Sequence, residues 1–269
     1  MLNCSPEQSL NNIKGIDLSG YEVIKVINFT RGTMLQKSGN CSTDATAQYS
    51  LCNNDMPSLT DARFDATGKV NYATCRLLSE NANFALYKDF LRLFGVSYMA
   101  DHLKNGNGKS LDLSNDNKIV NSIQNSTLYN EFVTKFSNII KQYIVGNTLT
   151  SLNNESFNAI NPPDFSIKRL IFVPTAAYAA IGGTQKYEAD IILYRKKVLN
   201  VVVNNPANYK VEYRFNFLDT YGADFDDMNV GVKGAIYALN SFFTLQHYHS
   251  GYKPYITNVR INSNVLNLN

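Results

Sequence analysis

Tryptophan is absent from this chain, histidine occurs three times, and charged residues fill only 17% of 269 positions. A typical soluble domain carries about a quarter. Lysine and arginine exceed the acids by three, 25 against 22, too small an excess to indicate nucleic-acid binding. Long apolar runs are missing as well. The longest mostly apolar stretch, Leu170 to Gly183, is interrupted by Pro174 and Thr175. It falls short of the roughly 18–20 residues that a membrane span needs. No charged segment followed by an apolar one opens the chain, so an ordinary signal peptide is not expected and export would take another route. Asparagine carries the polar share instead, with 35 residues. Asn-rich chains can be disordered, but an aromatic content of 12% argues for a packed core. The length fits one large domain or two small ones and is enough to bury a core without staples.

All four cysteines, Cys4, Cys41, Cys52 and Cys75, fall in the first 75 residues. An even count in an exported chain points to disulfides, with three pairings open. Four buried thiols are the other reading. No CxxC occurs and no histidine lies nearby, which argues against zinc.

Three regions follow from the pattern: a polar N-terminal region 1–75, a helical region 76–160 and a β-rich region 161–269. Tyr21 to Asn28 alternates enough for one strand, and Arg31 to Thr67 reads as long loops. From Ser79, Phe84, Tyr87, Phe90, Leu91 and Phe94 recur at helical spacing, and the helix runs toward His102 and Leu103 before Asn105-Gly-Asn-Gly108 stops it. Ile119, Val120 and Ile123 mark a short helix. Leu128 to Ile144 marks a longer one, with Gly146 just past its end. Beyond Asn161-Pro-Pro163 the period becomes two. Strands are expected at Lys168–Pro174, Tyr187–Tyr194, Lys197–Val203, Tyr209–Leu218 and Tyr255–Ile261, with a surface turn at Arg195-Lys-Lys197 and a helix at Gly234–His247. In the clearest strand Tyr209, Val211, Tyr213, Phe215 and Phe217 share one face. The expected class is α+β, a helical middle packed on an antiparallel, partly barrel-like sheet.

Chemistry concentrates in two places. Asp219-Thr-Tyr-Gly-Ala-Asp-Phe-Asp-Asp227 sets four carboxylates in nine residues directly after the best strand. Such crowding favours a hard cation, Mg²⁺ or Ca²⁺, unless the acids are solvated. Asp226 and Asp227 suit the start of a helix instead. Leu245-Gln-His-Tyr-His-Ser-Gly-Tyr-Lys-Pro-Tyr255 holds His247 and His249, suited to acid–base work, and Lys253, suited to a phosphate. His102 reads as structural. Gly182-Gly183-Thr184 does not fit a dinucleotide-binding pattern.

Two stretches resemble colicin M, a bacteriocin that cleaves the peptidoglycan precursor lipid II. One is Tyr98-Met-Ala-Asp-His-Leu-Lys-Asn-Gly-Asn-Gly108 with the run Lys109 to Val120. The other is the strand into Asp219-Thr-Tyr221 with Asp224-Phe225, which resembles the acidic core of that family with Gly222-Ala223 inserted. The C-terminal third, through Asp219–Asp224, Leu245-Gln-His247 and Tyr252-Lys-Pro-Tyr-Ile-Thr257, is also similar to a proteobacterial domain of unknown function found in candidate type VI antibacterial effectors. The resemblance covers roughly Leu77 to Ile261. The His-Arg pair that follows the family's acidic core is absent between Asp219 and Gln246. The resemblance implies a toxin that hydrolyses lipid II between undecaprenyl and pyrophosphate in the periplasm of target bacteria, with Mg²⁺. The catalytic residues expected are Asp219, Tyr221 and Asp224 from the resemblance, with His247 or His249 supplying the missing group from the end of the next helix. Asp219 and Asp224 would hold the metal, and Arg214, Gln246 and Lys253 would contact substrate. A cognate immunity protein and the inner-membrane surface are the implied partners, and nucleic acid is not one. The rival expectation is a membrane-perturbing effector working through Phe172–Ile181, and a weaker one is a nuclease toxin.

Overall fold

The computed structural model describes residues 18–34, 79–165, 175–223, 235–249, 251–263 and 265–268. Expectations for the four cysteines, for most of the loops beyond Gly32, for a strand at 168–174 and for Asp224, Asp226 and Asp227 lie outside these residues. The described elements run in the order β1 (Tyr21–Gly32), α1 (Glu80–Leu93), α2 (Tyr98–Asn105), β2 (Leu111–Asp112), α3 (Asn117–Gln124), α4 (Thr127–Val145), α5 (Ala176–Ile181), β3 (Lys186–Lys196), β4 (Tyr209–Tyr221), α6 (Ala235–Tyr248), β5 (Tyr255–Asn262) and β6 (Leu266–Asn267). The class is α+β. The sheet order is β1-β3-β4-β5-β2, with β6 on β4. It is open, with β1 and β2 at its ends. It is also mixed rather than purely antiparallel, because the two residues of β2 pair parallel with Thr257 and Asn258 of β5.

The helices begin where short polar side chains satisfy their first amide groups. Ser79 Oγ accepts from Ala82 N in α1, Asp116 from Lys118 N and Ile119 N in α3, and Ser126 Oγ from Tyr129 N in α4. The single helix expected from Ser79 to Leu103 is two. Gly95, at φ +72, turns the chain between α1 and α2, a conformation that a Cβ disfavours. Past α4 the left-handed residue is Asn147 at φ +53 rather than Gly146.

Each strand then sorts its residues by pleat. The odd-numbered residues of β4 from Tyr209 to Phe217 are almost wholly buried, at 0–2% exposure. Phe132 and Phe136 of α4 pack onto them, with ring centroids 5.0 and 5.2 Å from Phe215. Phe136 also meets Phe29 of β1, Phe157, Tyr187 of β3 and Tyr213. One hydrophobic cluster joins β1, the helices and the strands from Ile27 to Leu268.

β1 is longer than its alternation implied, because it stays paired with β3 as far as Gly32↔Lys186. Lys25 Nζ donates to the carbonyls of Leu149 and Thr150, and Arg31 Nη2 donates to that of Asn154. These contacts draw the 149–158 segment alongside the strand. The strand expected at Lys197–Val203 does not form. β1 begins opposite Lys196, and β4 reaches back only to Arg195↔Tyr209, so a strand there would lack a partner on either side. Arg195 and Lys196 are the last residues of β3 rather than a turn. Of the Phe172–Ile181 stretch, Phe172, Val173 and Pro174 lie outside the described residues, and the rest forms the start and body of α5. Ala177, Ala180 and Ile181 of α5 are buried in the core, and no helix among the described residues is long and apolar enough to cross a membrane.

Phe136 touches six rings, so Phe136→Ala is expected to destabilise the fold by about 3–5 kcal/mol. Equilibrium urea unfolding followed by circular dichroism measures this; a loss below about 1 kcal/mol would mean the ring cluster is not the core's centre.

Candidate functional site

β4 carries Asp219 and Tyr221 to the end of the sheet on the same inward face as its aromatic residues, since their numbers share that parity. Both are 8% exposed. Asp219 pairs with Thr257 of β5 in the ladder. Its Oδ2 accepts a hydrogen bond from Gly183 N at 3.3 Å. Thr257 Oγ1 donates to Ala180 O at 2.8 Å, tying the last turn of α5 to β5 beside the carboxylate. The Gly182-Gly183 pair therefore meets Asp219 through a backbone amide. The sequence displayed that pair, but its spacing matched no phosphate-binding pattern, so the contact was not foreseeable from it.

The Tyr221 hydroxyl hydrogen-bonds to the Tyr87 hydroxyl of α1 inside the core. Its ring lies against Tyr255 at 4.8 Å and Phe242 at 5.4 Å. Burial raises the phenols of Tyr87, Tyr221 and Tyr255 well above their ordinary value. At neutral pH these groups stay protonated and do not serve as bases. His102 holds a structural place, with Nε2 2.7 Å from Lys109 O and its ring edge on Tyr255.

The other expected site residues divide. Arg214 does not join Asp219. Its even number puts it on the opposite face of β4, where Nε donates to Glu212 Oε1 at 2.7 Å. Glu212 is only 3% exposed, and its second oxygen accepts from Tyr194 Oη at 2.9 Å. Gln246 is wholly buried in α6, and its amide is engaged by backbone. Ala223 N donates to Oε1 at 2.7 Å, and Nε2 donates to Ala223 O at 3.1 Å. It fastens the chain leaving β4 to α6.

His249 and Lys253 lie at a third place. His249 is within electrostatic reach of Glu80, whose carboxyl is held below its ordinary value of 4.5 by hydrogen bonds from Tyr252 and Lys104. Tyr252 Oη donates to Glu80 Oε1 at 2.8 Å, and Lys104 Nζ lies 3.3 Å away. Glu80 opens α1, whereas Tyr87, the partner of Tyr221, sits seven residues on, about 10 Å along the helix. His249 and Tyr221 are thus not brought together. Lys253 is exposed, with its backbone N–H bonded to Leu103 O. The side chain of His247 and all of Asp224 lie outside the described residues. Among the described residues, no group of three or more His, Cys, Asp or Glu side chains is placed to hold a metal.

No protein-family model, curated protein or solved structure matches this chain.

Gln246→Ala would remove both hydrogen bonds that its side chain makes with the buried Ala223 backbone. A loss of about 2–4 kcal/mol is expected, measured by urea unfolding; a loss within about 0.5 kcal/mol would show that the amide pairing carries no weight. The Glu80 link has its own pH signature. A lowered carboxyl contributes stability above its ordinary value, and that stability is lost as pH falls through the lowered one. Carboxyl NMR titration should show the Glu80 midpoint below 4.5 and moving upward in Tyr252→Phe. An unmoved midpoint would remove Tyr252 as the main cause.

Proposed function

We propose that this chain is an antibacterial toxin that hydrolyses a lipid-linked pyrophosphate, lipid II, between undecaprenyl and pyrophosphate in the target periplasm. The observation that carries the reading is Asp219: a carboxylate almost withdrawn from water near the end of the central strand, at the head of the acid-rich sequence Asp219–Asp227. An acid kept there costs desolvation. Gly183 N–H offsets part of that cost, and a cation or a reacting phosphate would offset more. The resemblance of Asp219-Thr-Tyr221 to the colicin M core supports the same assignment.

Mg²⁺ is commonly held by one or two carboxylates, with substrate phosphate oxygens completing its shell. Asp219 fits as one such ligand, and Asp224 is the second one proposed. When bound, Mg²⁺ would neutralise charge on the departing pyrophosphate. Gly183 N–H orients the Asp219 carboxylate from the side of α5. Tyr221, locked against Tyr87, shapes the floor beneath it. Activation of water falls to Asp224 or His247 in this reading, since His249 lies beside Glu80 instead. An immunity protein would act by covering this end of the sheet.

The test uses purified lipid II dispersed in detergent. Release of pyrophospho-disaccharide peptide is expected, with a fall of about 100-fold or more in Asp219→Asn and loss of turnover on chelation. Asparagine keeps an acceptor for Gly183, so the fold is retained. Equal turnover in wild type and Asp219→Asn would remove the assigned role, and absence of any product would sink the reading. In a sensitive host, killing is expected only when the chain is exported.

A further inference from the structure

The β3–β4 connection exposes aliphatic side chains in a way that the rest of the described surface does not. Leu199 is 98% exposed, Val198 and Val202 are each 56% exposed and Val203 is 41% exposed. With half-buried Val201 they make five aliphatics in six positions, divided by Asn200 at φ +60, which turns the chain at the tip. Single exposed aliphatics are ordinary, but a contiguous group marks an interaction surface.

The loop is also shaped, and its backbone is partly satisfied from within. Val202 O accepts from Asn208 Nδ2 at 3.0 Å and from Asn205 N at 3.2 Å. Val203 O accepts from Tyr209 Oη at 2.6 Å. Asn205 Oδ1 accepts from Ala207 N at 3.0 Å. Carbonyls already paired lower the cost of moving a segment out of water.

Charge surrounds the tip on one side only. From Ile191 to Val211 the chain has Arg195, Lys196, Lys197 and Lys210 and no acid. Arg195 is paired with Glu22 at 2.7 Å. Lys210 lies over the Tyr21 ring at 4.3 Å. Lys196 and Lys197 make no ion pair among the described residues. A cavity of about 630 Å³ opens at the base of the loop, lined by Ile24, Leu149, Val203 and Tyr209 with Lys25 and the paired Arg195 and Glu22. Val145, 61% exposed, ends α4 two residues before the cavity wall at Asn147.

An aliphatic tip beneath a basic collar, with no acid between, is complementary to one kind of surface: apolar chains under negative headgroups. We infer that the Val198–Val203 loop is a docking element that enters the interface of an anionic phospholipid bilayer, with Lys196, Lys197 and Lys210 at headgroup level. The loop joins β3 to β4 at the end where β4 starts, whereas Asp219 lies ten residues on, about 33 Å along the strand. The loop is therefore an anchor separate from the Asp219 site, and the inference stands without the hydrolysis reading.

The experiment is co-sedimentation of the full chain with vesicles that contain no lipid II. Binding is expected to phosphatidylcholine vesicles carrying phosphatidylglycerol and to weaken with salt. Leu199→Asn/Val202→Asn should weaken it about tenfold or more. Lys196→Gln/Lys197→Gln should weaken it several-fold and flatten the salt dependence. Leu199, Val202 and Lys197 are exposed and Lys196 is half-buried at the end of β3, and melting curves are expected to match wild type. Absence of binding to anionic vesicles, or equal binding by the Asn variant, overturns the inference. So does a wild-type dimer on gel filtration that the Asn variant dissociates, since a second copy would then cover the loop. Asp219→Asn should bind vesicles as wild type does, and the loop variants should turn over detergent-dispersed lipid II as wild type does. Failure of either proposal is thereby separable from the other.

Discussion

The two-residue period of β4 governs most of what this molecule presents. Phe132 and Phe136 of α4 fix which face of the strand is inward by packing on Phe215 and Phe217. Once that face is chosen, every later residue has its side assigned. Asp219 and Tyr221 go inward to the helices, and Arg214 goes outward to Glu212 and Tyr194. A slip of one residue would expose the aromatic row and bring Arg214 to the helical side. The identity of the polar end of the sheet thus depends on ring packing two to four residues away.

Much of this was legible in the residues. The β4 alternation, the stripe of α4 and the capping serines carry local signals, because periodicity and capping are properties of neighbours in sequence. The class and the inward set of β4 followed directly. The break at Gly95 was harder, since a helix interrupted by one left-handed residue keeps apolar spacing on both sides. Lys197–Val203 misled for a physical reason. Its β-branched residues have strand propensity, but a strand also needs a partner, and β1 starts opposite Lys196 while β4 starts opposite Arg195. Propensity without a partner leaves exposed valines.

The candidate site was legible in its acids and not in its supports. Asp219 and Tyr221 stood out by position after the best strand. Gly183, Tyr87 and Tyr255 come from elements 36, 134 and 34 residues away from their partners at the end of β4, distances over which no single-sequence pattern speaks. Gln246 and Arg214 were plausible contacts by chemistry alone. Their partners, a backbone amide pair and a buried carboxylate, exist only once the chain has closed on itself.

The grip of Lys25 and Arg31 on the 149–158 segment has a further meaning for β1. A twelve-residue strand at the end of an open sheet presents a row of backbone groups that another chain can extend. Three features blunt it. The register shift between Val23 and Lys25 bends the strand, the two cations sit along its rim, and the carbonyls they hold bring a covering segment against it. In a chain with 35 asparagines and little net charge to keep copies apart, Lys25 and Arg31 therefore guard an edge that another copy could otherwise extend.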